Sequence, residues 1–321
     1  MKMHIDIVIP VYKPDEKFKA LLMGLADQTV KPDNLIIMYT KTGRDDRFPD
    51  ELRMTGAAVS CSDASGGTGF KVYELEKSEF DHGGTRAMAA EKSGADILVY
   101  MTMDAVPADK HMLEKLTGIF EEDDMVGAAY ARQLPSDSSS PAERFTRGFN
   151  YPDKPVLKGE EDLEKLGIKT FFCSNVCAAY RKDIYDKLGG FVRKTIFNED
   201  MIYAHKLIMN GYKIYYAADA GVIHTHEYTP MQQLHRNFDL AVSQAMHPEV
   251  FGSVSSESEG VRYIRSAYAF FKKEGKPYLI IPFVWGCCFR YLGYFLGKRY
   301  RKLPEWLIKA CAMNKEFFEC L

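Results

Sequence analysis

The chain has 321 residues, of which 46% are hydrophobic and 27% charged, a balance that excludes disordered and collagen-like classes. Its formal net charge of -2 gives no polycationic signature of a nucleic-acid-binding protein. Seven irregularly spaced cysteines include no Cys-x-x-Cys pair, which favours free thiols in a reducing, cytoplasmic compartment over a zinc ribbon or a disulfide framework.

The N-terminus starts directly with a strand-like run. It lacks the basic start, the apolar stretch and the small-residue cleavage site of a signal peptide. No run of about 18 apolar residues occurs anywhere, which predicts that no helix crosses a membrane.

Apolar strand runs alternate with helical periodicity over about the first 130 residues, as in βαβ units. Strands are predicted at His4–Val11, Leu35–Tyr39, Val72–Glu74, Ile97–Thr102 and Val126–Gln133, and helices around Phe18–Ala26, His82–Lys92 and Met112–Phe120. This rhythm predicts an α/β fold, a Rossmann-like, mostly parallel sheet with helices on both faces. Because ligands bind at the carboxyl ends of such strands, Tyr12, Lys13 and Asp104 are placed for ligand contact.

The second half of the chain is richer in loops and helices. Turn-rich loops are predicted at Leu134–Pro141 and Gly148–Gly167, strands at Phe171–Tyr180, Lys213–Ala217 and Gly221–His226, and helices from Asn198 to Gly211 and from Thr229 to Met246. A polar linker, Gly252–Gly260, precedes a helical C-terminus. We therefore divide the chain into a first domain, 1–250, and a C-terminal helical region, 251–321.

Three groups of polar residues could carry chemistry. Asp104 follows a buried strand and is interpreted either as a ligand of Mg²⁺ or Mn²⁺ on a diphosphate or as a turn aspartate. His224 and His226, at i and i+2 of a predicted strand, would point to one face and bind a metal or phosphate, or else be unrelated surface histidines. Glu199 and Asp200 begin a predicted helix, a frequent structural arrangement that also suits a general base.

Two further segments are informative. His82–Arg86 (HGGTR) lacks the Gly-Lys-Ser/Thr ending of a phosphate-binding P-loop, although Arg86 could contact a base or a phosphate. No Gly-x-Gly-x-x-Gly follows the first strand, which argues against a dehydrogenase. Aromatic and basic residues alternate from Tyr291 to Trp306, which fits either a helix at a membrane surface or a packed helix with a solvated basic face.

The order of these motifs resembles that of family 2 glycosyltransferases, which have the GT-A fold, and within that family the bacterial rhamnosyltransferases. The resemblance covers roughly residues 4–245. The residues that carry it are Ile7–Tyr12, Phe80–Arg86, Thr102–Asp109, Asn198–Asp200, His224–His226 and Gln233–Arg236.

The resemblance implies roles for individual residues. Asp104 looks like the metal-binding aspartate of the family's Asp-x-Asp motif, with Thr102 in place of the first aspartate. His226 and His224 are the further metal ligands it implies, for Mg²⁺ or Mn²⁺. Asp200 looks like the catalytic base of the Glu-Asp motif, beside Glu199. The expected donor-nucleotide residues are Pro10, Val11, Tyr12, Thr40, Arg86 and Asp104, and the expected acceptor residues are Gln233 and Arg236.

Two positions depart from the family pattern. Many relatives hold the nucleoside with an Asp-x-Gly-Ser stretch after the second strand, whereas this chain has Tyr39–Gly43 (YTKTG). The sequence therefore does not determine which nucleotide base the donor carries. Asn237 replaces the tryptophan that follows the Gln-x-x-Arg pair in processive relatives, which favours the addition of a single sugar.

The resemblance implies an inverting, metal-dependent hexosyltransferase that moves a sugar, with rhamnose the first choice, in cell-surface polysaccharide synthesis. The expected donor is dTDP-rhamnose or a UDP-sugar, and the expected acceptor a saccharide or a polyprenyl-linked saccharide. The expected location is the cytoplasm, peripheral on the inner face of the membrane. The alternatives are a nucleotidyltransferase and a non-catalytic nucleotide-sugar-binding protein.

Overall fold

The computed structural model describes residues 3–43, 69–252 and 257–319. The chain forms two compact units, which interleave along the sequence. The first unit comprises Met1–Leu134, Tyr151–Lys194 and Glu199–His224, and the second Pro135–Asn150, Thr195–Asn198 and Thr225–Leu321. Residues 225–250, which the sequence division placed in the first domain, therefore belong with the C-terminal helices.

One mixed β-sheet forms the centre of the first unit. Its strands are β1 (Ile5–Val11), β2 (Asn34–Thr40), β3 (Gly69–Leu75), β4 (Ile97–Met101), β5 (Val106–Pro107), β6 (Val126–Leu134), β7 (Val156–Lys158), β8 (Cys177–Arg181) and β9 (Lys213–Ile223). The order is β3-β2-β1-β4-β8-β6-β9-β5, with β7 paired to β9. The first four strands in this order are parallel, β8 lies antiparallel between β4 and β6, and β6 and β9 are parallel.

Three predicted strands differ from those observed. The run Phe171–Tyr180 is a strand only from Cys177, because a 3₁₀ turn at Gly167–Phe171 precedes it. The two short strands predicted between Lys213 and His226 are the single strand β9, whose pairing with β6 is irregular between Ala217 and Gly221. Strand β9 ends at Ile223, so the His224-x-His226 pair follows the strand, and the prediction that both histidines share one strand face is wrong.

Helices flank this sheet and make up most of the second unit. They are α1 (Glu16–Ala26), α2 (His82–Glu91), α3 (Met112–Thr117), α4 (Ile119–Glu122), α5 (Pro141–Asn150), α6 (Leu163–Leu166), α7 (Lys182–Lys187), α8 (Glu199–Met209), α9 (Pro230–Met246), α10 (Pro248–Phe251), α11 (Glu257–Lys273), α12 (Ile280–Gly297), α13 (Glu305–Cys311) and α14 (Lys315–Glu319). Short 3₁₀ turns occur between several of them. Strand β7 lies within Gly148–Gly167, which the sequence predicted to be loop with one short helix, and most of α5 lies between the two predicted loops.

The helix boundaries follow from local capping. Asp15 caps α1 through the N–H groups of Lys17 and Phe18, and α1 buries the apolar face that its periodicity predicts. Helix α9 begins at Thr229-Pro230, as predicted, with Gln232 completing a capping box. Asn198 immediately precedes α8, which begins at Glu199. Its backbone is left-handed, with φ of 64°, and its amide donates to the carbonyl of Leu240 at 3.2 Å.

The apolar core of the first unit lies between β1, β2, β4 and the helices α1 and α3. In the parallel register Val11 lies beside Tyr39, and Val8 beside Tyr100, so the carboxyl ends of β1, β2 and β4 share one edge of the sheet. The sheet changes strand direction next to β4, where β8 runs antiparallel. That edge is where such sheets bind ligands.

The second unit contains two apolar clusters. One centres on Leu234, Phe238 and Val242 of α9, and the other on Phe145 of α5 with Phe271 and Phe283. Contrary to the expectation from sequence, one stretch among the described residues, Pro277–Gly297, is long and apolar enough by length and composition to cross a membrane, with a mean hydropathy of 1.5. This stretch contains no unbroken apolar run of that length in the sequence, because Arg290 and three glycines interrupt it.

Candidate active site

Two neighbouring carboxylates, the buried Glu199 and the partly buried Asp200, stand at the start of α8. The Glu199 side chain is almost fully buried, and its Oε1 lies 3.2 Å from Nη1 of the buried Arg86. The amide of Asn175 donates to the same Oε1 at 3.1 Å. Arg86 Nη1 also donates to the carbonyl of His82 at 2.8 Å, which anchors the guanidinium to α2. Glu199 is therefore a buried carboxylate that is paired with a guanidinium and accepts a hydrogen bond from an amide.

Asp200 differs from Glu199 in its surroundings. Its Oδ2 accepts the N–H of Asn175 at 3.1 Å, and its Oδ1 accepts the N–H of Met201 at 2.8 Å. Burial, and then the negative charge of Glu199, raise the pKa of Asp200 to about 7. Burial also acts to raise the pKa of Glu199, but the charge of Arg86, the nearby His82 and the hydrogen bond from Asn175 together lower it. The pair thus holds one fixed anion and one group that exchanges a proton near neutral pH.

The segment before β8 positions this pair, and sequence reasoning did not find it. Asn175 contacts both carboxylates, and its own Oδ1 accepts the hydroxyl of Tyr180 at 2.8 Å. The buried Lys158 ammonium holds the same segment by donating to the carbonyls of Lys169, at 3.2 Å, and Phe172. An isolated asparagine in the apolar run Phe171–Tyr180 was the one available signal.

Asp104 lies in the turn after β4, within reach of His224. The Asp104 Oδ1 and the His224 Nε2 are 3.5 Å apart, and both side chains are largely buried. The Gln133 amide donates to Ser174 Oγ at 3.0 Å, which leaves Gln133 Oε1 to accept from His224 Nδ1 at 2.9 Å. With Nδ1 held by the amide in this way, Nε2 is the ring nitrogen directed at the carboxylate.

A carboxylate and an imidazole whose second nitrogen is held by an amide are a donor set suited to Mn²⁺ or Mg²⁺. The residues of the first unit therefore fit a divalent metal. His226, the third predicted ligand, belongs to the second unit, where its ring stacks on Tyr228 with centroids 5.2 Å apart, so its place in the metal site stays a prediction.

The predicted donor-nucleotide residues lie at the carboxyl edge of the sheet or close to it. Pro10 and Val11 end β1, and Thr40 ends β2, where its buried hydroxyl has no hydrogen-bond partner among the described residues. Tyr12 follows β1 and is 36% exposed. Arg86 lies on α2 with its guanidinium paired to Glu199, so a contact to the nucleotide stays a prediction for it.

The predicted acceptor residues Gln233 and Arg236 lie on α9 in the second unit. Gln233 Oε1 accepts from Arg290 Nε at 3.1 Å. The Arg236 guanidinium stacks over the rings of Phe197, at 4.7 Å, and Tyr228, at 5.8 Å. Both side chains are ordered by neighbours within their own unit, and their role towards an acceptor stays a prediction.

The change of strand direction beside β4 lies where α/β proteins bind nucleotides, and the nearby carboxylates are chemically suited to accept a proton or to bind a metal. Such a protein belongs to the class of enzymes that transfer a group from a nucleotide-linked donor. The chain is a member of Glycosyl transferase family 2, whose family model matches residues 6–189.

Two relatives match over nearly the whole chain. The O-antigen chain rhamnosyltransferase RfbN of Salmonella typhimurium is 34% identical over 320 residues, covering 98% of this chain and 96% of that protein. The O-antigen chain rhamnosyltransferase WbaN of Salmonella anatum is 34% identical over 317 residues, covering 97% of this chain and 95% of that protein. These matches confirm the family that the sequence motifs predicted.

Solved structures support the same fold. The mannosyltransferase PcManGT of Pyrobaculum calidifontis, in complex with GDP-Man and Mn²⁺, superimposes with a TM-score of 0.57 at 14% identity, covering 91% of this chain and 88% of that one. TarS 1-349 of S. aureus, in complex with UDP-GlcNAc, gives a TM-score of 0.52 at 13% identity, covering 94% and 92%. The predicted GT-A fold is thereby confirmed, and the chain is a glycosyltransferase rather than a nucleotidyltransferase.

Proposed function

We propose that this enzyme transfers rhamnose from dTDP-rhamnose, with inversion and with the help of a divalent metal, to a saccharide or polyprenyl-linked saccharide acceptor. It would do so in the synthesis of a cell-surface polysaccharide, on the cytoplasmic side of the membrane. The similarity to the O-antigen chain rhamnosyltransferases RfbN and WbaN supports rhamnose as the sugar and polysaccharide synthesis as the pathway class. UDP-sugars are the second choice of donor.

The observation that carries the proposal is the partly buried Asp200, whose pKa is raised to about 7 beside the Arg86–Glu199 ion pair. A general base works best when its pKa lies near the working pH. Asp200 takes the proton of the acceptor hydroxyl as the hydroxyl oxygen bonds to the anomeric carbon. The bond from that carbon to the diphosphate oxygen breaks on the opposite side, its electron pair leaves with the nucleoside diphosphate, and the anomeric centre inverts.

The remaining residues orient this reaction. Asn175 holds Asp200 through its N–H and Glu199 through its amide, so the base keeps its direction while it exchanges a proton. Asp104 and His224 would hold Mn²⁺ or Mg²⁺, with His226 as a candidate third ligand. When bound, the metal supplies positive charge that stabilises the departing diphosphate.

The test is a transfer assay with dTDP-rhamnose, UDP-glucose, UDP-GlcNAc and GDP-mannose, which follows the released nucleoside diphosphate and the anomeric configuration of the product. We expect transfer from dTDP-rhamnose with inversion. Asp200→Asn should lower turnover by about 10²-fold or more while calorimetric donor affinity is unchanged. Asp219→Asn, an exposed change on β9, is the matched control and should leave turnover unchanged.

Other outcomes would change the proposal in defined ways. Transfer from a UDP-sugar alone would replace the donor and keep the mechanism. Donor binding without any transfer, in wild type and variant alike, would favour the non-catalytic nucleotide-sugar-binding alternative. Undiminished turnover in Asp200→Asn would remove Asp200 as the base.

A further inference from the structure

Helix α12 in the second unit carries an exposed apolar stripe. Four large side chains spaced at helical intervals form it: Ile281, Trp285, Leu292 and Phe295. Ile281 is 74% and Trp285 60% exposed. Residues at these spacings lie on one face of a helix, and a contiguous exposed apolar face marks an interaction site.

The opposite face of α12 is packed on α9. Gly293 and Gly297 are buried, and a Cβ at either would meet the carbonyl oxygen of Leu234 or Phe238, so only glycine permits this close approach. Arg290 points the same way, with its Nη1 3.3 Å from the hydroxyl of Tyr263. One face of α12 is therefore packed against the rest of the second unit, and the other face is exposed and can contact a binding partner.

This packing decides how α12 can meet a lipid bilayer. Its length and hydropathy would allow it to span. A spanning α12 would carry the polar residues of α9 beside it, including Gln233 and Asn237, into hydrocarbon, where unsatisfied polar groups are very costly. A helix that lies in the plane of the interface immerses the apolar stripe alone and leaves α9 in water.

A cluster of cations follows the stripe. Lys298, Arg299, Arg301 and Lys302, the basic cluster, line a cavity of about 420 Å³ together with Ala245 and Tyr300. None of the four cations forms an ion pair with a described residue. Residues 272–302 contain eight lysines or arginines and one acidic residue, a net charge of +7, whereas the whole chain carries -2. Positive charge beside an interfacial apolar face is what anionic lipid surfaces attract.

We propose that α12 lies in the headgroup region of a membrane that contains anionic phospholipid. The apolar stripe enters the boundary with the acyl chains, and the basic cluster binds the lipid phosphates. The side chains of Tyr278, Tyr291 and Trp306, each at least 65% exposed, flank the stripe at the depth that such amphipathic rings prefer. This inference rests on the C-terminal surface alone and is independent of the donor, the acceptor and the catalytic base.

The experiment is binding of the purified full-length chain to vesicles of phosphatidylcholine with and without phosphatidylglycerol, followed by co-sedimentation and tryptophan emission. The chain has two tryptophans, Trp285 and Trp306, and both are exposed on this surface. Their emission therefore reports contact directly. We expect co-sedimentation and a blue shift with phosphatidylglycerol, and both should weaken as salt is added.

Two double variants, each with a control, separate the contribution of the apolar stripe to vesicle binding from that of the basic cluster. Ile281→Gln with Leu292→Gln retains both tryptophans and should weaken binding by about tenfold or more. Its control is Met23→Gln with Met209→Gln, two exposed apolar residues of the first unit, which should bind as wild type does. Arg299→Glu with Lys302→Glu should weaken binding by about a hundredfold. Its control is Lys154→Glu with Lys165→Glu, both exposed.

Two outcomes would overturn the proposal. Equal binding to both kinds of vesicle, or equal effects of the cluster variant and its control, would remove the role of the basic cluster. Absence of binding, together with a concentration-dependent dimer that Ile281→Gln with Leu292→Gln dissociates, would make the stripe an interface between two copies. Unchanged circular dichroism establishes that each variant is folded.

Discussion

The two carboxylates that begin α8 are adjacent in sequence but have opposite electrostatic environments. Arg86 stabilises the Glu199 anion, and that anion then disfavours ionisation of the neighbouring Asp200. Both carboxylates accept hydrogen bonds from Asn175. This arrangement raises the pKa of Asp200. Its energetic cost is that two negative charges lie side by side in a site with little access to water.

This cost predicts how Asp200→Asn affects stability. When the pKa of a carboxyl is higher in the folded than in the unfolded state, the free energy of unfolding decreases as the pH rises between the two pKa values. For Asp200 this interval runs from about pH 4 to about pH 7. Asparagine does not ionise and escapes this loss. The melting temperature of Asp200→Asn minus that of wild type should therefore increase between pH 5 and pH 8, measured by calorimetry. A difference that is constant over this range would contradict the raised pKa.

Because the side chains of Asp104 and His224 lie close together, we expect them to bind a metal with measurable affinity. Asp104→Asn and His224→Ala should each weaken Mn²⁺ binding by about tenfold or more, because each removes a ligand and leaves the other unsupported. Titration calorimetry with Mn²⁺ and dTDP measures this. Asp137→Asn, an exposed change on the loop after β6, is the control and should retain wild-type affinity. Equal affinity in all variants would place the metal elsewhere.

At the scale of elements, the contact between α9 and α12 is built on small residues. The backbone carbonyls of Leu234 and Phe238 occupy the space that side chains at 293 and 297 would need. Two turns before Gly293 on the same helix, a Cβ at Gly286 would meet no described atom within 4 Å. The three glycines of α12 therefore differ in what they permit, although their sequence context is similar.

This difference supplies a matched pair of substitutions. Gly293→Leu should force α12 away from α9 and destabilise the second unit by about 1–3 kcal/mol or more, as overpacking does. Gly286→Leu adds the same side chain without a clash and should be neutral or slightly stabilising, since leucine is a better helix former. Chemical denaturation followed by circular dichroism measures both. Equal effects would show that α12 is not held at Gly293.

At the scale of the whole molecule, charge is distributed unevenly. The net charge of -2 combines a C-terminal stretch of +7 with a remainder of -9. The total charge of the chain therefore gives no indication of this strongly basic segment, which adjoins the apolar stripe of α12. Net charge limits solubility and steering but does not describe local surfaces.

Binding of the donor provides a readout for the whole protein. Ligand bound only by the folded state, at a hundred times its dissociation constant, adds about 2.7 kcal/mol of stability. We expect dTDP with Mn²⁺ to raise the melting temperature more than GDP or UDP with Mn²⁺, and dTDP without metal to raise it less. A preference for UDP would shift the donor to the UDP-sugars. No rise with any nucleoside diphosphate would contradict the proposed donor class.

Sequence patterns were sufficient where a structure is local. The helical periodicity of α1, the capping box of α9 and the apolar runs of β1 and β2 predict those elements because each depends on neighbours along the chain. The order of the motifs also predicted the family, which the match over residues 6–189 confirmed.

Tertiary structure decided everything that joins distant segments. The antiparallel β8 within a partly parallel sheet, the pairing of Arg86 with Glu199, and the contacts of Asn175 to both carboxylates involve residues far apart in sequence, and no periodicity encodes them. The same holds for the exposed stripe of α12, because the side of an apolar helix that remains exposed depends on which neighbour covers the other. Sequence alone determined the family, the local elements and the choice of Asp200 as the candidate base, whereas three-dimensional packing determined the electrostatic environment of that carboxylate and which helix face is free.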